Sequence, residues 1–303
     1  MENSPQVTVI GSYGVGMRMN VPRIPVKGET LTGSGFVTFL GGKGSNQAVG
    51  VARLGITVEL LACIGSDSLG EGALELWQRE SVNHSAVVKS VNLPTPVGFI
   101  MLDPEGDNCI AIDAGANAEL SPDHVKNFAP VIQRSQIAMT QLEIPVVTAE
   151  AALRIAQESG VKTILNPAPA QLLSSEMLSL VDILTPNQSE ARILVGLTAD
   201  DLIEDEAVAK KLLDRGVKTV VMTLGEKGAL VVSSEGLEHH TGHPVKVVDT
   251  TGAGDGFNAA LAAGIVKGLT LSQAVKLANH AGARMVATDG VIPALPTQLE
   301  LDI

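Results

Sequence analysis

Asp255 stands near the middle of the run Asp249-Thr-Thr-Gly-Ala-Gly-Asp-Gly-Phe-Asn-Ala-Ala260. Glycines at 252 and 254 leave room for main-chain N–H groups to turn toward one point, where a side chain would block them. The small-residue helix predicted over residues 256–266 adds its unpaired first-turn donors and the positive end of its dipole. Such a turn is an anion site, and phosphate is the usual occupant. A carboxylate beside a phosphate is repelled by it, so Asp255 is poorly placed for plain binding. It becomes useful if it takes the proton from a hydroxyl that attacks the phosphate. The residues therefore predict phosphoryl transfer to an alcohol. Read alone, the same segment is also an ordinary strand-to-helix turn with an acidic residue at the helix start.

The elements that must hold this turn follow from the apolar pattern. Val245, Val247 and Val248 read as a strand leading into it. Short aliphatic runs predict further strands at 7–11, 58–64, 137–141, 163–166, 183–185, 219–223 and 229–232. Helical stretches fall at 45–54, 69–80, 148–159, 188–195, 204–215 and 272–288. Strands alternating with helices predict a parallel sheet covered on both faces. Two regions break the rhythm: 12–40, with Pro22, Pro25 and Gly28, and 94–113, where a turn at 103–107 separates two extended runs. Both read as hairpins, and together as a small β lid inserted in the α/β body. In open sheets of this kind ligands bind beyond the carboxyl ends of the strands. The polar or Gly-rich segments 41–46, 141–143, 166–170, 186–190, 223–228 and 249–255 all fall at such ends.

The chain has 303 residues, 45% of them apolar but only 2% aromatic, so its core is aliphatic. Lys plus Arg number 21 against 33 Asp plus Glu, a net charge of −12, which argues against a nucleic-acid surface. No apolar run approaches the length of a membrane span, and the polar lead at residues 1–6 does not read as a signal peptide. The expected location is the cytoplasm. Cys63 and Cys109 lie in apolar runs and read as buried thiols, and His239, His240 and His243 as a solvated loop.

With the segments Gly41-Gly-Lys-Gly-Ser-Asn-Gln-Ala-Val49, Asn166-Pro-Ala-Pro-Ala170, Thr185-Pro-Asn-Gln-Ser-Glu190 and Thr223-Leu-Gly-Glu-Lys-Gly228 ahead of 249–260, the whole chain resembles the ribokinase, or phosphofructokinase-B, family of sugar kinases. The resemblance implies a three-layer α/β/α body with a mainly parallel sheet and a projecting β lid. It implies Mg²⁺ with ATP as donor and a small sugar or sugar-like alcohol as acceptor. Asp255 would be the catalytic base, and Gly252, Ala253 and Gly254 the anion hole. Gly42, Lys43, Asn46 and Glu143 would touch the sugar. Asn187 and Glu190 would organise Mg²⁺ and phosphates through water, or else simply cap a helix. Thr223, Gly225 and Gly228 would line the nucleotide, with Asn279 near the adenine. Asp249, Thr251, Val286, Asp289 and Val291 match a loop that holds a monovalent cation, K⁺ being the expected one. Pairing of two lids in a homodimer would cover their apolar residues.

The chain departs from the family at one place. Members that phosphorylate ribose carry an Asn and an Asp after the first strand, where this sequence has Gly14 and Gly16. D-ribose stays the leading acceptor, with a nucleoside, polyol or sugar acid as alternatives. Tyr13 and Arg18, close by, are candidates to serve a different acceptor. Returning Asp at position 16 should raise activity on ribose if only that grip is lost. Two rivals come from other classes. A dinucleotide-binding dehydrogenase is suggested by Gly11, Gly14 and Gly16, but an extended region follows where a helix is required. A non-catalytic sugar sensor would gain nothing from the carboxylate at 255.

Overall fold

The computed structural model describes residues 5–301. Among the described residues fourteen strands follow one another: β1 (Val7–Ile10), β2 (Gly14–Asn20), β3 (Ser34–Gly41), β4 (Val58–Leu61), β5 (Cys63–Gly65), β6 (Val88–Ser90), β7 (Val97–Leu102), β8 (Asn108–Asp113), β9 (Ile137–Thr140), β10 (Lys162–Leu165), β11 (Ile183–Leu184), β12 (Thr219–Thr223), β13 (Ala229–Ser233) and β14 (Gly236–His240). Eight of them form the central sheet in the order β14-β13-β12-β11-β10-β9-β1-β4. Its pairs are parallel except at the β12–β13–β14 end, where tight turns make an antiparallel edge.

Alternation along these strands divides the core into two layers. Val7, Val9, Leu60, Met139 and Ile164 enter one apolar cluster; Ile10, Leu61, Ala138 and Leu165 enter the other. The first layer is closed by α1 (Lys43–Arg53), α2 (Ser68–Arg79), α8 (Ala253–Val266) and α9 (Leu271–Val286). The second is closed by α3 (Pro122–Ile132), α4 (Val146–Glu158), α5 (Ser175–Ser179), α6 (Gln188–Leu194) and α7 (Asp205–Asp214). Each buried Leu or Ile contributes about 1.5–3 kcal/mol, which is why strands of two to four residues suffice once both faces are covered. α8 is buried almost all round and built from Ala and Gly, so neighbouring helices come close. A Cβ on Gly50 of α1 would lie 2.6 Å from Ala259, and one on Gly264 3.0 Å from Ala274 of α9. Two short helices, α10 (Val291–Ala294) and α11 (Gln298–Leu301), complete the C-terminal part.

The two hairpins form a single separate sheet in the order β3-β2-β7-β8, joined by parallel pairing of β2 with β7. Gly16 pairs with Phe39 on one side and Gly98 on the other.

Several local expectations are corrected. The predicted strand at 58–64 breaks at Ala62, and β5 pairs with β6 in a small sheet of its own. The valines at 245–248 form no strand: β14 is already the sheet edge, and Val245 and Val247 line a cleft instead of filling a core. Cys63 is buried, but Cys109 is exposed because its apolar run belongs to the lid. His240, at the end of β14, is buried while His239 and His243 are exposed. Helix α3 is an element the sequence reading left out; its start at Ser121-Pro122 carries a capping box with His124. Among the described residues no helix is long and apolar enough to cross a membrane. Of the polar lead, residues 1–4 lie outside the described residues.

Candidate active site

The first turn of α8 carries Asp255 into a pocket where only 3% of its surface stays exposed. Gly252 precedes that helix at φ 76°, a left-handed conformation that costs other residues energy, and a Cβ there would meet Val291 at 2.6 Å. Gly254 faces open space, so its main chain is accessible from the cavity. Of the first-turn N–H groups of α8, that of Ala253 donates to the Thr250 carbonyl at 3.4 Å and that of Asp255 to the Gly252 carbonyl at 2.9 Å, so Gly254 is the residue whose main chain opens most freely to the cavity.

Both carboxylate oxygens of Asp255 are held from α1. Asn46 Nδ2 donates to Oδ2 at 2.8 Å, and Gln47 Nε2 to Oδ1 at 3.0 Å. Gln47 is fixed in turn: its Nε2 also donates to Asn166 Oδ1 at 3.1 Å, and its Oε1 accepts from Gln141 Nε2 at 2.6 Å. The network continues from Asn166 to the Thr185 carbonyl, and from Thr185 Oγ1 through Asn258 to the Gly254 carbonyl. Three strand ends, those of β9, β10 and β11, and two helices are thereby locked around one carboxylate. Burial raises the Asp255 pKa more than Lys43, Asn46 and Gln47 lower it, and the charge of Glu143 pushes the same way as burial.

Lys43 opens α1 after Gly42, whose φ of 87° and contact with Tyr13 leave no room for a Cβ. Its backbone N–H donates to Glu143 Oε2 at 2.8 Å, and Ser12 Oγ donates to the same oxygen at 2.5 Å. Glu143 thus caps α1 electrostatically from the end of β9. Burial disfavours the Lys43 ammonium, but Asp255, Glu143 and Glu190 together outweigh it and the pKa rises. Glu190 is pushed up by burial first, and partly restrained by the Asn187 N–H and by Lys43.

Three adjoining cavities meet here. One of about 370 Å³ is lined by Lys43, Asn187, Glu190, Thr223 and the 252–255 turn. A second, of about 380 Å³, shares Thr223, Gly225, Ala253 and Gly254 with it and runs on past Gly228, Asn279 and Val286. A third, of about 620 Å³, shares Lys43 with the first and lies under the lid, reaching Gly42 and Glu143. The three form one trough, with Asp255 and Lys43 near its middle.

The structure brings most of the candidate residues to this trough, some with a second duty. Asn187 and Glu190 form a reciprocal cap on α6 with both bonds at 2.8 Å, so the capping interpretation holds while Glu190 also faces the cavity. Asn279 donates to the main-chain carbonyls of His240 and Thr241 and shapes the cleft wall. Asp249 accepts from the Thr251 and Gly290 N–H groups, and the Val286 carbonyl accepts from Val248 and Asp249. Asp289 is exposed, and Val291 packs against Gly252. Of the two alternative acceptor residues, Tyr13 buries its ring at 5.4 Å from Trp77, while Arg18 helps to lower the Asp249 pKa by its charge and keeps a buried Nε without a hydrogen-bond partner. Gln47, Gln141 and Asn258 were missed as site residues. Each looks like an ordinary polar residue until the strand ends converge.

A buried, hydrogen-bonded carboxylate in the first turn of a helix, sharing a polar cavity with Lys43 and Glu190, suits phosphoryl transfer to an alcohol. The model of the pfkB family of carbohydrate kinases matches residues 4–298, and the chain belongs to that family. It is 37% identical to the ribokinase of Haemophilus influenzae over 294 residues, covering 97% of this chain and 96% of that protein. Its fold matches the crystal structure of ribokinase from Thermotoga maritima with a TM-score of 0.91 and 33% identity, over 98% of each chain. The structure of Arabidopsis thaliana ribokinase complexed with ribose and ATP gives a TM-score of 0.93 at 29% identity, over 98% of this chain and 97% of that one. The protein is an ATP-dependent carbohydrate kinase of the ribokinase-like α/β fold.

Proposed function

We propose that this kinase transfers the γ-phosphate of ATP to a hydroxyl of a small sugar, with D-ribose the first candidate and ribose 5-phosphate its product. The observation that carries the reading is the position of Asp255. It faces the phosphate cavity and lies within electrostatic reach of Lys43 and Glu143, which line the cavity under the lid. The acceptor hydroxyl gives its proton to Asp255 as its oxygen bonds to the γ-phosphorus; the bond to the β-phosphate oxygen breaks and ADP leaves. A buried carboxylate with a raised pKa is the better base, because proton affinity grows as the ionised form is desolvated. Main-chain N–H groups of Gly252, Ala253 and Gly254 would steady the transferring group, a role worth roughly 10²–10³ in rate per donor. Lys43 supplies the positive charge between the two cavities.

Glu190, which lines the phosphate cavity, would hold Mg²⁺ through water, since a hard cation bound with substrate phosphates needs only one or two carboxylates. When bound, that ion neutralises phosphate charge. The oxygens gathered at Asp249, Thr251 and Val286 suit a monovalent cation such as K⁺, which would add charge behind the anion hole without touching the phosphate. The cleft beyond Thr223, with Gly225, Gly228 and Asn279, has room for the nucleoside of ATP. The enzyme would act in the cytoplasm as a homodimer joined through its lids.

The test is direct. Purified protein with Mg·ATP and D-ribose should release ADP in step with a phosphomonoester identified by ³¹P NMR as ribose 5-phosphate. ADP release that is independent of any sugar would contradict the reading.

A further inference from the structure

The polar groups of the cavity under the lid are concentrated at one end. Beyond Lys43 and Glu143 its walls are apolar, formed by Phe39, Pro96, Ile112, Leu142, Ile144 and their neighbours. Its other two polar side chains are already engaged. The Tyr13 hydroxyl donates to the Leu69 carbonyl, and Asn117 is bonded at both ends to the Tyr13 main chain. The wall contributed by β2 and β7 includes Gly16 and Gly98 with the Phe39 ring laid across Gly16, while Gly14 lies against Gly42 beside Lys43. A Cβ at position 16 would lie 2.2 Å from that ring, so the glycine and the aromatic are a matched pair. Returning Asp to position 16 therefore requires Phe39 to leave the wall, and the single exchange tests a rebuilt pocket. The cavity, about 620 Å³ and widely open to solvent, has room for more than a free pentose.

A hydroxyl pressed against such a wall loses its water and finds no partner. We propose, building on the sugar-kinase reading of the same site, that the Phe39–Gly16 wall selects an acceptor whose edge remote from the phosphorylated hydroxyl is apolar. That edge either lacks a hydroxyl, as in a deoxy sugar, or carries an apolar or planar group in its place, as in a glycoside or nucleoside. Free D-ribose is then a substrate, but a poor one.

The experiment compares ADP release from Mg·ATP with D-ribose, 2-deoxy-D-ribose, methyl β-D-ribofuranoside and uridine. At least one of the last three should exceed D-ribose in kcat/KM by about tenfold, the worth of one unsatisfied hydroxyl. A lead for deoxyribose identifies the missing hydroxyl as the feature read; a lead for the riboside or uridine identifies the substituent. Phe39→Asn should remove most of that preference. Ile112→Asn, on the same wall but 78% exposed and thus safe for folding, should weaken it. D-ribose equal to or better than all the others would overturn the proposal and leave the sugar-kinase reading standing. A preference unchanged in both variants would also overturn it. No ADP with any acceptor would defeat the underlying reading and the proposal together.

Discussion

Asp255 was legible in the sequence because its neighbours are unusual: glycines at 252 and 254 and a carboxylate have a joint chemical meaning that spacing alone reveals. The residues that aim it were not. Gln47 donates to Asp255 and Asn166 and accepts from Gln141, yet these three partners lie 208, 119 and 94 positions away. Gln47→Ala should leave buried donors and acceptors without partners, lowering stability by about 1–3 kcal/mol. It should also cut kcat about a hundredfold with little change in KM, as expected when a reacting group is misplaced. Steady-state kinetics and urea unfolding on the same preparation check both parts. The pH dependence follows from the direction of the Asp255 shift. A base works ionised, and burial holds its pKa above the ordinary carboxylate value, so activity present above the raised pKa is lost as pH falls through it. The acid limb of kcat/KM should therefore lie clearly above pH ~4, the range of a free Asp. A limb at or below that range would show that the titrating group is not this buried carboxylate.

At the scale of elements, the parallel strands were readable as short aliphatic runs, and the polar segments 141–143, 166–170, 186–190 and 223–228 follow their ends, whereas 41–46 follows the lid strand β3 and 249–255 follows no strand. The segment at 245–248 misled for a physical reason. Valine favours strands, but the run lies beyond the sheet edge, and Val245 and Val247 face the cleft that runs past Gly228 and Asn279. Position 252 illustrates how tightly the anion turn is specified. Gly252→Ala should cost roughly 1–2 kcal/mol from the left-handed backbone alone, with the Val291 contact in addition. The KM for ATP should rise because the turn shifts. Calorimetry and ATP titration test this; wild-type values in both would mean that the turn tolerates a side chain.

The whole molecule joins an α/β body to a lid whose two hairpins were each readable, although their fusion through β2 and β7 was not, since a parallel contact between distant segments leaves no local pattern. The lid leaves Phe36, Phe99 and Ile110 more than half exposed on a thin sheet with free edges at β3 and β8. If lids pair, sedimentation at micromolar concentration should show twice the monomer mass, and Phe99→Asp should shift it to monomer; a monomeric parent protein would contradict the pairing. The account as a whole rests on the body delivering α1 and α8 to either side of one proton acceptor. Turnover of Asp255→Asn with Mg·ATP and the preferred acceptor measures this most directly. The variant should fold, bind ATP, and lose at least about 10²–10⁴ in kcat, the contribution of a positioned base. Near-normal kcat in a folded Asp255→Asn protein would contradict the mechanism.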